Sequence, residues 1–163
     1  MRSISLALLV SGSFLAASAV QAQPLTDHNI SMNMAMAMMQ GTLDQCKKDG
    51  YKVSVVVVDK SGNVVASIKG DGTNPHTMEF ARLKAYTSRT RGITSQEFMN
   101  QTATGTAALL RQIPGTVAIG GGAPVKMASG EVIGAIGASG APGGEKDEAC
   151  VNAGIAKVAD QLK

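Results

Sequence analysis

Residues 71–86, DGTNPHTMEFARLKAY, decide how the rest of the chain is read. The stretch begins in a Gly/Asn/Pro loop. Pro75 keeps a helix from starting before about His76, because a residue ahead of proline is pushed out of the α region. The helix then runs from Thr77 to Arg91, and Gly92 ends it. Met78, Ala81, Ala85 and Ser88 give it a narrow face of mostly small side chains, which lets its backbone lie close to a sheet. The same stretch gathers His76, one of only two histidines, with Arg82, Lys84 and Tyr86. A site is expected where this loop meets the glycines of the second half.

Upstream lies a hairpin. Residues 52–59, KVSVVVVD, carry β-branched side chains on both faces, as a central strand covered on both sides does. Lys60-Ser61-Gly62-Asn63 is the turn and residues 64–69 return. Before it, a helix is expected over 26–49, with Lys47 and Lys48 in its last turn and Gly50 as the stop. Met32, Met36, Met39, Leu43 and Cys46 form one apolar stripe, and Ile30, Met34, Ala37 and Gly41 make the other side partly apolar. A helix apolar on two sides has a sheet on one and a second subunit on the other, so a homo-oligomer is expected. The run MNMAMAMM could offer thioethers to Cu(I). Helical spacing splits these methionines between faces and favours packing.

Downstream, Thr94-Ser95-Gln96-Glu97 reads as a capping box that starts a third helix at Ser95. Met99, Ala103, Thr106, Leu110 and Ile113 make its stripe, and Pro114-Gly115 stops it. Residues 117–119, 124–128 and 131–139 read as strands, with Ser129-Gly130 as a turn. Gly134, Gly137 and Gly140 cannot share one strand face, since side chains alternate. They point to close approach by a helix, a bulge or a ligand. A last helix starts near Glu145 on a core stripe of Val151, Ile155, Val158 and Leu162. The order α-β-β-α-α-β-β-α lacks strand–helix–strand alternation. It implies an α+β fold, an antiparallel sheet with helices packed on its faces.

The chain has 163 residues, enough for one domain. Residues 1–22 read as a signal peptide: Arg2, an apolar run from Ile4 to Val20, and a Val20-Gln21-Ala22 cleavage site. Residues 23–163 then form a single exported domain, periplasmic or secreted, with no stable membrane insertion. The formal net charge of +3 falls by one with Arg2. With four aromatics left, neither charge nor stacking platforms suit a nucleic acid. Cys46 and Cys150 can pair in an oxidising compartment, closing a loop worth about 4–5 kcal/mol in the chain-entropy model.

The chemistry is sparser. Residues 140–144 precede a helix, as phosphate-binding loops do. Glu145, Asp147 and Glu148 fill the first turn and would repel an anion. There is no HExxH, CxxC or GxSxG pattern. His76, in a Pro-containing loop, is the leading candidate ligand or base. Arg82, Lys84 and Arg89 could bind carboxylates or lie on a solvated face.

Three segments carry a resemblance: VSVVVVDKSGNVV at 53–65, GDGTNPHTMEFARLKAYTS at 70–88, and GGGAPVKMASGEVIGAIGASGAPGGEKDEACVNAGIAKV at 120–158. In these the chain resembles the GlcG/HbpS family, described as heme-binding or haem-degrading and related to the C-terminal domain of PduO-type adenosyltransferases. The resemblance implies a profilin-like sandwich with a five-stranded antiparallel sheet, an oligomer, and a site around Pro75, His76, Thr77 and the GAIGASG strand. It implies heme as cofactor, with His76 as metal ligand, Thr77 at the site, and Arg82 and Lys84 near the propionates. The other readings are an enzyme acting on a small organic acid or cofactor, with His76 as base and Arg82 as clamp, and a non-catalytic oligomeric accessory.

Overall fold

A computed structural model describes residues 23–163; the expected signal peptide, residues 1–22, lies outside the described residues. The elements are α1 (Met32–Lys48), β1 (Ser54–Asp59), β2 (Val64–Ile68), α2 (Thr77–Arg91), α3 (Ser95–Gln101), β3 (Gly122–Lys126), β4 (Val132–Ser139) and α4 (Gly144–Ala156). Two 3-10 segments, Thr106–Gln112 and Ala159–Gln161, follow α3 and α4. The strands form one antiparallel sheet in the order β2-β1-β4-β3. α1 and α4 pack together on one face, and α2 covers the other.

The α+β class and the helices on both faces agree with the order read from the sequence. The strand count does not: among the described residues there are four strands, not five. Residues 117–119 were the expected extra piece. Val117 instead exchanges bonds with α2: its N–H donates to Thr87 Oγ1 at 2.8 Å, and the Thr87 hydroxyl reaches its carbonyl at 3.3 Å. A side chain has taken the place of a neighbouring strand.

Helix α1 starts at Met32, not near Thr26, because Ser31 caps it by accepting from the Met34 N–H. Its buried face is also rotated from the expected stripe. Ala35, Met38, Met39, Thr42 and Cys46 are buried, whereas Met32 and Met36 are 55% and 48% exposed. Cys46 is bonded to Cys150, with Cα atoms 5.4 Å apart, joining α1 to α4. α3 is shorter than expected, since a 3-10 segment carries Leu110. Thr94 caps it through the Glu97 N–H, but the Glu97 carboxylate accepts from Gln101 rather than reaching back.

The three glycines of β4 and its exit meet three different neighbours. A Cβ at Gly134 would run into Ile30, one at Gly137 into the backbone of Ala81 and Ala85 on α2, and one at Gly140 into the Lys52 carbonyl. Gly137 lets α2 lie directly on the sheet, against Val56, Val58 and Ala135. Val55, Val57, Ile133 and Ile136 fill the larger core under α1 and α4.

Candidate functional site

The cleft that meets the sequence expectation lies where β1 begins and β4 ends, beside the starts of α2 and α4. Two loops build it by docking on one dipeptide, Lys52-Val53. On one side Gly70 sits so close that a Cβ would strike the Val53 carbonyl. On the other, Gly140, at φ 140°, abuts the Lys52 carbonyl. Any L side chain at Gly140 would be strained as well as crowded. Between the loops opens a cleft of about 490 Å³, lined by Asn74, His76, Phe80, Ile119, Pro142 and the 139–144 backbone. That volume is in the range of small-molecule and cofactor sites, roughly 300–1,000 Å³.

His76 stands at the N-cap of α2 but makes no side-chain capping bond. It is exposed, and its ring meets Phe80 edge to face with centroids 5.5 Å apart. The pair is one turn apart, so the helix itself orients the imidazole against the aromatic wall.

The floor is a buried ion pair. Lys84 Nζ donates to Asp147 Oδ2 at 2.7 Å and to the Ala138 carbonyl at 3.1 Å, and both side chains are 3% exposed. Asp147 Oδ1 accepts from the Ala141 N–H at 3.0 Å. One carboxylate therefore ties the 140–144 loop to the middle of α2. Burial pushes the Asp147 carboxyl up, opposed by the Lys84 charge and hydrogen bond and by the Ala141 N–H.

The other sequence candidates are all engaged by partners within the chain. Thr77 is buried; its hydroxyl donates to the Asn74 carbonyl at 2.9 Å and lies 2.8 Å from Ser54 Oγ, fastening the loop. Arg82 forms two bonds with Glu79, at 2.9 and 2.7 Å, and does not line the cleft. That pairing holds the Glu79 carboxyl below its ordinary value. Lys84 borders the cleft, with its charge spent on Asp147. His28 binds Glu131 at 2.9 Å, just ahead of β4, while His76 faces the opposite end of that strand. Eight strand residues span roughly 25 Å at about 3.3 Å each, so the two histidines do not share one site within a subunit.

Asp147 is more than the first-turn, helix-dipole residue that the sequence reading makes it. Its signal was present: it lies four positions before Val151 and so extends the buried stripe of α4. A carboxylate on a core stripe needs a cation, and Lys84 adjoins the narrow face of α2.

Comparison with known proteins places the chain in a family and supports the fold. The family described as "Haem degrading protein HbpS-like" matches residues 30–156, nearly all of the described domain. The chain belongs to the HbpS-like family. Among curated relatives, Protein GlcG of Escherichia coli K12 is 30% identical over 115 residues, covering 68% of this chain and 81% of GlcG. A double mutant of Streptomyces reticuli HbpS superposes with a TM-score of 0.77 at 34% identity, covering 86% of this chain and 97% of that one. PduOC, solved as a heme complex, shares the fold at a TM-score of 0.70 and 20% identity, covering 78% of this chain and 94% of PduOC.

Proposed function

We propose that this HbpS-like chain is an exported heme-binding protein, serving heme sensing, storage or degradation, with His76 as the protein ligand to iron. The observation that carries the reading is an exposed imidazole, free of capping duty, at the edge of a 490 Å³ cleft. The relatives support it: the family is described as haem degrading and PduOC was solved with heme.

The residues fit the group. Imidazole is a common iron ligand, and the cleft lining holds one imidazole with no thiolate or thioether beside it. Phe80, Ile119, Ala141 and Pro142 offer apolar surface to a macrocycle. Bound heme would supply an iron centre able to bind or activate oxygen. The chain's own residues do the rest. His76 would ligate through one ring nitrogen, Phe80 sets the imidazole against an aromatic edge, the 140–144 loop borders the cleft, and Lys84-Asp147 keeps that loop in place. Arg82, held by Glu79, is not needed at the propionates, and the same pairing weakens it as a clamp for a small acid.

Export accords with the Cys46–Cys150 bond, since disulfides persist in oxidising compartments. No helix among the described residues is long and apolar enough to cross a membrane. A homo-oligomer is part of the reading, because Met32 and Met36 leave an apolar strip of α1 in solvent.

Titrating residues 23–163 with hemin by visible absorption tests it. A saturable Soret shift, abolished in His76→Ala and kept in His28→Ala, is expected. Weak, unsaturable uptake that is the same in all three proteins overturns it.

A further inference from the structure

The His76 cleft does not end at the 140–144 loop. A second hollow of about 360 Å³ adjoins it, sharing Asn74, Gly140 and Pro142 and continuing along Gly50, Tyr51, Lys52, Gly72 and Thr73. The two halves differ in chemistry. The His76 half presents Phe80, Ile119, Ala141 and Pro142 around one imidazole. The second half presents an ammonium, a phenol ring, and the side chains of Thr73 and Asn74.

The cations near the cleft differ in their pairing. Arg82 is paired with Glu79 and Lys84 with Asp147. Lys69 donates to the Thr73 carbonyl at 3.1 Å. Lys52 forms no ion pair among the described residues, not even with Asp71 in the neighbouring turn. It is exposed, and its Nζ lies beside Gly72, where a Cβ would come within 3.0 Å. A larger residue at Gly72 would push the ammonium aside. A second cation, Lys146 Nζ, stands 5.7 Å from the centre of the Tyr51 ring, which lines the second half. An extended ligand lying through both halves would meet apolar walls and an imidazole at one end and unspent positive charge at the other.

We propose that Lys52 is the carboxylate-binding residue of this cleft, receiving the propionate edge of the heme whose iron His76 ligates. This rests on the heme reading above and replaces Arg82 and Lys84 in the role that the sequence assigned to them. Its energetic basis is a charge-assisted pair at a rim open to salt, so the contribution should be modest and screened.

The test compares hemin with hemin dimethyl ester, whose carboxylates are masked, on the wild-type domain, Lys52→Glu, Lys52→Arg and His76→Ala. Each variant's fold is checked by its urea midpoint. For hemin, Lys52→Glu is expected to raise Kd about tenfold or more while leaving the Soret position unchanged, and Lys52→Arg to restore binding. The ester should bind the wild type weakly and be indifferent to Lys52→Glu. Raising salt should weaken hemin binding to the wild type more than to Lys52→Glu. Hemin affinity within twofold of wild type in Lys52→Glu, with binding still lost in His76→Ala, overturns the carboxylate anchor and leaves the heme reading standing. Ester binding as tight as the acid also overturns the anchor. Failure of the wild type to bind hemin at all overturns both.

Discussion

The buried Lys84–Asp147 pair should dominate the energetics of the cleft wall, and a double-mutant cycle measures it. Lys84→Met removes the 2.7 Å bond to Asp147 and the 3.1 Å bond to Ala138. What remains is a carboxylate 3% exposed, with the Ala141 N–H as its partner. Breaking one side of a buried pair costs about 3–5 kcal/mol, because the other charge is stranded. Asp147→Leu strands the ammonium and should cost a similar amount. The double variant strands no charge, leaving only the Ala141 N–H and the Ala138 carbonyl without these side-chain partners, and fills the space with apolar atoms, so it should be no less stable than either single variant. The coupling energy is then at least about 3 kcal/mol. Urea unfolding monitored by circular dichroism supplies the numbers, provided the m-values agree. The Lys84→Met deficit should shrink in acid, where Asp147 takes up a proton that burial already favours. Additive losses, or a Lys84→Met cost below about 1 kcal/mol, would show that the pair does not hold the wall as argued.

Three other outcomes follow from the geometry. Gly137→Ala drives a Cβ into the Ala81 carbonyl and within 2.7 Å of the Ala85 nitrogen, so the α2–sheet contact must open; a loss of about 1–3 kcal/mol by urea midpoint is expected. Cys46→Ser/Cys150→Ser opens a 104-residue separation and should cost about 4–5 kcal/mol, with no added effect of reductant on the variant. Glu148 is half-buried, its Oε2 has no partner, and burial holds its carboxyl above the ordinary value. As pH rises through and above the normal glutamate range, the unfolded chain ionises first, so this group's contribution to stability falls. Glu148→Gln should therefore gain on the wild type between pH 4 and pH 7, as read by thermal midpoints at both; a constant difference refutes this.

Much of the fold was legible because the signals were local. Pro75 and Gly92 bound α2 at the residues observed, and the valine run of residues 55–58 forms a strand buried on both faces. The two turns, at Gly62 and Gly130, fall where the glycines adopt positive φ. The failures came where a tertiary contact outvoted local pattern. Residues 117–119 look like a strand, yet the Thr87 hydroxyl claims Val117. The stripe of α1 rotated because Gly154 of α4 is seated against Met38 and Thr42, which turns these two inward and leaves Met32 and Met36 exposed. At the site, the junction of the His76 loop with the second-half glycines was readable from loop chemistry. The fates of the charged residues were not. Lys84 adjoins the small face of α2 and Asp147 the core stripe of α4, but they are 63 positions apart and only the tertiary fold pairs them, while Arg82 takes the local Glu79.

The most direct test of the account is the ligand-field spectrum of the ferric heme complex of residues 23–163, by electron paramagnetic resonance and resonance Raman. With one imidazole in the cleft, a high-spin ferric signal is expected, with an iron–histidine stretch on reduction that vanishes in His76→Ala. A low-spin bis-imidazole spectrum, or a wild-type spectrum that persists unchanged in His76→Ala, would contradict the claim that His76 alone holds the iron.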